Sequence, residues 1–256
     1  MKKHGDFTGL ANNYSQFRPK YSETVLSALL ATLNKPVADI DFADIGAGTG
    51  IWTRMVAARH CRSVVAVEPN DDMRQHGISD SRAFDIEWLT GTGENTGLEN
   101  SSKDLLSMAS SFHWVDFDKG MNEFSRVLRP GGRFVALWNP RDIEANPLLV
   151  EIENKLLDFA PNIKRVSSGK SGITDGLTQR LNDHQLFCDV LYFEGRHSIS
   201  QSPEQYLGVW WSVNDIRVQA GEAAFLKFMD YVKERVSDLT SIETTYVTRM
   251  WSAQRR

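Results

Sequence analysis

The chain has 256 residues, 41% of them hydrophobic and 24% charged, enough to bury one sizeable core. Its 29 Lys and Arg against 33 Asp and Glu leave a formal charge of −4, which excludes the chain-wide basic footprint of a nucleic-acid binder. Two cysteines, Cys61 and Cys188, lie too far apart in sequence for a disulfide framework or a zinc-ligand pattern, and are expected to be buried, reduced thiols.

In chain order, Met1-Lys2-Lys3-His4-Gly5-Asp6 is polar with no apolar run behind it, so no signal peptide is expected. Ser22 is placed to cap a helix running to about Leu33. Asp39 to Ile45 reads as a first strand that runs into glycines, and Ile51 to Arg59 as the helix after them. Val64 to Val67 is a short apolar strand of the buried parallel kind. Asp71 opens a second helix, Phe84 to Leu89 alternates like a strand, and Leu105 to Ala109 is a fourth strand. Phe117 to Leu128 sets Phe117, Met121, Phe124, Val127 and Leu128 on one helical face. Arg129-Pro130-Gly131-Gly132 is a turn before a fifth strand, Phe134 to Trp138.

The last third has a different texture. Leu148 to Phe159 is helical, and Pro161 to Gly176 is a polar, Gly/Ser-rich loop. Phe187 to Phe193 is strand-like, Pro203 starts a helix over Glu204 to about Val213, Ala223 to Val236 is another helix, and Thr244 to Trp251 is a closing strand. No stretch reaches the length of a bilayer span, so neither a membrane partner nor any location but the cytoplasm is expected.

The strongest motif is Asp44-Ile45-Gly46-Ala47-Gly48-Thr49-Gly50, between a strand and a helix. Glycines let the backbone turn tightly and let a ligand approach without meeting a Cβ. The dinucleotide fingerprint G-x-G-x-x-G is not met, because the glycines alternate and residue 51 is Ile. Glu68 ends the next strand about 20 residues on, where a ribose-binding carboxylate belongs in such folds.

With these residues the chain resembles the class I S-adenosylmethionine-dependent methyltransferases, in particular their small-molecule branch (the UbiE/type 11 and trans-aconitate-methyltransferase-like group). The resemblance rests also on Gly91-Thr92-Gly93-Glu94, Ser110-Ser111-Phe112-His113-Trp114, Leu128-Arg129-Pro130-Gly131-Gly132, and a Tyr14…Arg18-Pro19-x-Tyr21 signature, and it covers residues 7 to 140. It implies an α/β fold: a Rossmann-like, doubly wound, mostly parallel seven-stranded sheet with helices on both faces. It also implies one domain over 1–256: an N-terminal lid over 1–37, a cofactor-binding core over 38–140, a substrate cover over 141–240 with a sheet strand near 186–194, and a closing strand over 241–256.

By the same resemblance, Asp44, Gly46, Ala47, Gly48 and Gly50 hold the methionine part of S-adenosylmethionine, and Glu68, Pro69 and Met73 border its ribose side. Thr92, Gly93 and Glu94 border the adenine, Ser110 lies beside the reacting centre, and Tyr14 and Arg18 close over the site. Relatives often carry Asp and Ala where this chain has Thr92 and Gly93. His113 is the candidate general base, a residue whose unperturbed pKa of about 6.5 suits proton acceptance; packing beside Trp114 is the competing role. Trp114, Trp138, Trp210 and Trp211 are candidate substrate-lining aromatics, with Asn139 and Asn214 as orienting groups. Trp210 and Trp211 are consecutive on a helix and cannot both face one way.

The function expected is transfer of a methyl group, by in-line displacement, to an N, O or C acceptor of a small metabolite, in specialised metabolism, by a monomer or homodimer. S-adenosylhomocysteine is the product, and no metal is needed. Arg141, Lys164, Arg165, Arg196 and Arg217 are cations that could pair an acidic acceptor. The rivals are an RNA methyltransferase, disfavoured by the acidic balance, and a protein that binds S-adenosylmethionine without transferring methyl. Gly169-Lys170-Ser171 lacks the leading Gly and strand of a P-loop, and Asn139-Pro140 follows strand five, not strand four as in base-methylating enzymes.

Overall fold

A computed structural model describes residues 11–163, 172 and 174–256. Most of the loop expected over 161–176, the Gly169-Lys170-Ser171 tripeptide, Lys164, Arg165 and the first six residues lie outside that set. Five parallel strands carry the first half: β1 (Asp41–Ile45), β2 (Ser63–Val67), β3 (Glu87–Leu89), β4 (Lys103–Ala109) and β5 (Leu128–Trp138). Two long antiparallel strands, β6 (Phe187–Gln201) and β7 (Ile242–Arg255), complete a seven-stranded sheet in the order β3-β2-β1-β4-β5-β7-β6. The chain turns outward from β1 to β3 and then restarts at β4 on the other side of β1. That reversal is a topological switch point, where open sheets of this kind bind ligands.

The buried runs explain the layers. Phe42, Leu105 and Val135 face one side of the sheet, under α2 (Glu23–Ala31) and α3 (Ile51–Ala57), which bring Leu26, Trp52 and Val56. Their neighbours Ala43, Leu106 and Phe134 face the other, under α5 (Phe117–Val127) and α7 (Leu177–Asn182), which bring Met121, Phe124 and Leu181. Ser22 caps α2 by accepting the Val25 N–H, as expected. The helix α4 (Asp71–Asp80) is capped by Asn70, whose side chain accepts the Met73 N–H at 3.0 Å. At the far edge Asp41 pairs with Arg62 and Arg129, and Asp104 with Lys35 and Arg129, each at 2.9 Å for Asp104.

The Arg129-Pro130-Gly131-Gly132 turn lies inside β5 as an irregularity of register: Leu128 pairs Lys103, and pairing resumes with Arg133 opposite Leu105. Gly131 supplies the positive φ of 80° that this excursion needs. β6 runs eight residues beyond the expected Phe193, because β7 is long enough to pair it throughout. The helix expected over 204–213 is α8 (Pro203–Trp211), and a separate helix α9 (Asn214–Ala220) follows. With α6 (Pro147–Phe159) and α10 (Glu222–Val236), these two build a third apolar cluster around Ile152, Trp210, Phe225 and Phe228. A short α1 (Ala11–Phe17) packs on α8. Cys61 and Cys188 are free and half-buried, not fully buried as expected. Among the described residues no helix is long and apolar enough to cross a membrane, and no cluster of His, Cys, Asp and Glu could hold a metal.

Candidate functional site

A cavity of about 420 Å³ opens over the carboxyl ends of β1, β2 and β4, within the roughly 300–1,000 Å³ usual for small-molecule sites. The glycine turn after β1 forms its floor. Gly46, Gly48 and Gly50 have φ of 64°, 59° and 78°, a region L side chains rarely adopt. Gly46 and Ala47 donate their N–H groups to the Val67 carbonyl, which ties the turn to the end of β2. Gly48 donates instead to Glu68 Oε2 at 2.7 Å, and Glu68 Oε1 accepts the Asn70 N–H at 2.9 Å. Burial pushes the Glu68 carboxyl above the usual range, and the two N–H groups oppose that shift. Each carboxylate oxygen accepts one N–H and keeps further lone-pair capacity, and Glu68 borders the cavity.

Of the residues expected at the cofactor, Tyr14, Arg18, Gly46, Ala47, Gly48, Glu68, Pro69, Met73, Thr92, Gly93, Glu94 and Ser110 all border this cavity. Asp44 and Gly50 do not. Asp44 lies beneath the turn, accepting Thr53 Oγ1–H at 2.6 Å and Ser107 Oγ–H at 2.8 Å. Burial raises its carboxyl to about 7. Gly50 caps α3 in left-handed geometry, where a Cβ would sit 3.0 Å from the Trp88 ring. Both shape the turn from below.

The departure at Gly93 has a local reason: a Cβ there would meet Val115 at 2.4 Å. Thr92 Oγ1 accepts the Asn95 N–H at 3.2 Å, so its hydroxyl is partly engaged in its own turn. Ser110 sits at φ 56°, outside the usual range for a residue with a side chain, and shares a 2.9 Å hydrogen bond with the Tyr21 hydroxyl. Arg18 donates through Nε to Ser212 Oγ at 2.8 Å and stacks over Tyr14 at 4.9 Å. It therefore joins the N-terminal segment to the cover at the cavity wall.

Of the substrate-side candidates, Trp114 and Asn139 border the cavity, whereas Trp138, Trp210 and Trp211 do not. Trp114 borders the cavity and is half exposed at its mouth. Trp138 is buried and donates its indole N–H to His113 Nδ1 at 3.4 Å. His113 is wedged against Trp114 and Trp138 and does not border the cavity; burial lowers its imidazole to about 4, so it is neutral and a weak base. Neither Trp210 nor Trp211 borders the cavity: Trp210 is buried in the cover edge-on to Phe228, and Trp211 is half-buried edge-on to Phe225. Both ends of the Asn139 amide are used, donating to the Lys20 carbonyl at 3.0 Å and accepting Thr248 Oγ1–H at 2.8 Å. Asn214 opens α9, not the helix of the two tryptophans, and its side chain is outside the described set. Among the candidate cations, Arg141 borders the cavity, whereas Arg196 pairs with Asp142 and Arg217 with Glu222.

Sequence reasoning missed Ser111, Val115, Val209, Val213 and Tyr246 as cavity walls. Ser111 has a signal in retrospect, since it follows Ser110 in the 110–114 motif; its Cβ and Oγ stand 2.8 Å from where a Gly46 Cβ would be. The cover residues carry none, since their approach depends on tertiary packing.

Residues 43–136 match the Methyltransf_11 family, described as a methyltransferase domain. An uncharacterized methyltransferase of Mycobacterium tuberculosis is 35% identical over 136 residues, 53% of each chain. The UbiE ubiquinone/menaquinone biosynthesis C-methyltransferase of Rubrivivax gelatinosus is 32% identical over 103 residues, 40% of each chain. The chain thus aligns over about half the length of the first of these relatives. A solved protein of Anaeromyxobacter dehalogenans, assigned as a type II methyltransferase, superposes with a TM-score of 0.67 at 19% identity, covering 92% of this chain and 97% of that one. At that identity the likeness shows the fold.

Proposed function

From the premise that residues 43–136 are a class I methyltransferase domain, whose methyl donor is S-adenosylmethionine, we propose that this chain methylates a small molecule held between the glycine turn and the helical cover. The observation that carries the reading is the Glu68 carboxylate, which grips the Gly48 N–H while facing the cavity. It combines an acid suited to ribose hydroxyls with a turn whose glycines at 46, 48 and 50 carry no Cβ. When bound, the cofactor supplies a methyl group already activated on a sulfonium.

The chain's own residues bind, orient and exclude water. In this reading Gly46, Ala47 and Gly48 let the cofactor's backbone-like end approach, Glu68 takes the ribose, and Thr92, Gly93 and Glu94 border the base. Arg18 and Tyr14 close over the methionine end and, through Ser212, carry the cover with them. Val209, Val213 and Trp114 supply the apolar wall from which water is excluded. Holding two reactants in line is a large part of such catalysis, so a wall that moves would slow the reaction without touching the reacting atoms.

The test has two stages. Calorimetry with S-adenosylhomocysteine measures the cofactor site, and a tritiated-methyl transfer screen against an extract of the source organism measures the reaction. Binding without transfer to any component would leave a cofactor-binding protein and end the transferase reading.

A further inference from the structure

We propose that Tyr246 and Arg141 form an acceptor-side subsite that selects molecules carrying a single carboxylate; this rests on the transferase reading above and names its substrate class. Tyr246 lies on β7, is 3% exposed and borders the cavity. Its ring stacks on His197, with centroids 5.8 Å apart and planes 26° apart, so the phenol is held in place. The hydroxyl has no hydrogen-bond partner among the described residues. A buried hydroxyl without a partner is unfavourable, so a ligand that accepts from it binds more tightly, by about 10-fold or more.

The surroundings choose the ligand's charge. Arg141 faces Tyr246 across an isolated antiparallel bridge, and Arg18 acts on the same phenol as a second nearby cation. Arg141 Nη2 donates to Glu153 at 3.0 Å and its guanidinium lies 4.4 Å from the Trp210 ring centroid, which fixes it in place. Glu153 offsets the charge of Arg141. Among the described residues the hydrogen bonds of Arg18 go to neutral oxygens of Ser212, so the described residues at this end of the cavity leave about one net positive charge. One charge matches a carboxylate better than a doubly charged phosphate ester.

The sheet order adds a second argument. The acids that border the cavity, Glu68 and Glu94, follow β2 and β3, while Tyr246 belongs to β7 on the other side of β1, β4 and β5. The cavity is therefore acidic at one end and cationic at the other. Burial raises the Tyr246 hydroxyl above its ordinary range, so it remains a donor at neutral pH. A donor flanked by guanidinium groups is suited to an oxyanion and unsuited to an ammonium group.

The experiment uses the full chain and tritiated S-adenosylmethionine on a metabolite extract split by anion exchange. Label is expected in the retained fraction, in products that phosphatase leaves unchanged. For the purified acceptor, Tyr246→Phe is expected to raise KM about 10-fold or more, with S-adenosylhomocysteine affinity unchanged and the melting temperature no lower than the parent's. Label confined to the flow-through fraction, label confined to phosphatase-sensitive products, or a Tyr246→Phe KM within twofold of the parent would each overturn the proposal. Label in neither fraction, with S-adenosylhomocysteine still bound, overturns the transferase reading beneath it.

Discussion

Glu68 accepts the Gly48 N–H at 2.7 Å, so one carboxylate fixes the glycine turn after β1 to the end of β2. The same side chain is thus both a brace for the turn and a wall of the cavity. Glu68→Ala removes both roles and is expected to weaken S-adenosylhomocysteine binding about 100-fold, since hydrogen bonds to charged groups are worth about 1.5–3 kcal/mol. Glu68→Gln keeps one acceptor and should lose less. Calorimetry on both variants checks this; equal affinity in Glu68→Ala and the parent would remove the residue from the site.

Gly46 joins a positive φ of 64° to a neighbour 2.8 Å from the absent Cβ. Gly46→Ala must therefore strain the backbone and displace Ser111, whose hydroxyl donates to the Ile45 carbonyl at 3.0 Å. The expected cost is about 1–3 kcal/mol, with a lower melting temperature and weakened cofactor binding together. A variant that melts and binds like the parent would contradict the geometry.

Asp44 sets a pH dependence of stability. Its folded carboxyl is raised to about 7 by burial, against about 3.9 unfolded, so the folded state holds the proton more tightly. The stability contributed is present in full below pH 4 and is lost as pH rises through 7. Paired carboxylates such as Asp104 and Glu123, whose folded values are lowered, act in the opposite sense. Comparison with Asp44→Asn cancels them: the parent should lose up to about 4 kcal/mol relative to the variant between pH 4 and 8. Denaturant melts across that range test the sign. A constant difference would show that Asp44 titrates alike in both states.

His113 should not behave as a general base. Its ring is held near Trp114 and Trp138 with a pKa lowered to about 4. His113→Gln is expected to cost less than about 10-fold in kcat, whereas losing a base costs about 10²–10⁴-fold. The pH–rate profile of the parent should show no inflection that His113→Gln abolishes. A loss of 100-fold or more with normal folding would restore the base role.

Gly208 lets α1 dock on α8, because a Cβ there would lie 2.3 Å from the Phe17 ring. Gly208→Ala favours helix α8 itself by about 1 kcal/mol, so global melting is a poor guide. The expected signature is local: faster hydrogen exchange over 11–17 and a severalfold weaker hold on S-adenosylhomocysteine, since Tyr14 lies on α1 and Arg18 directly follows it. Unchanged exchange would mean that Phe17 finds another rotamer at no cost.

The sequence by itself determined the strand–helix alternation, the glycine turn and its acid. Those signals are local: a buried parallel strand must be continuously apolar, and only glycine tolerates the turn that follows β1. Thus Gly48, Glu68, Pro69 and Met73 were legible at the site. The tertiary structure alone decided which aromatics face the cavity and which face the cover. Trp210 and Trp211 read as pocket residues, yet α10 offers Phe228 and Phe225 as partners and takes both. Tyr246 read only as part of a closing strand. The residue borders the cavity because β7 inserts antiparallel between β5 and β6, a pairing across more than a hundred residues that no local pattern encodes. His113 had the right chemistry in the right segment, and burial beside Trp138 removed its basicity. Local periodicity specifies elements, whereas burial, pairing and charge at a site are properties of neighbours brought together by the fold.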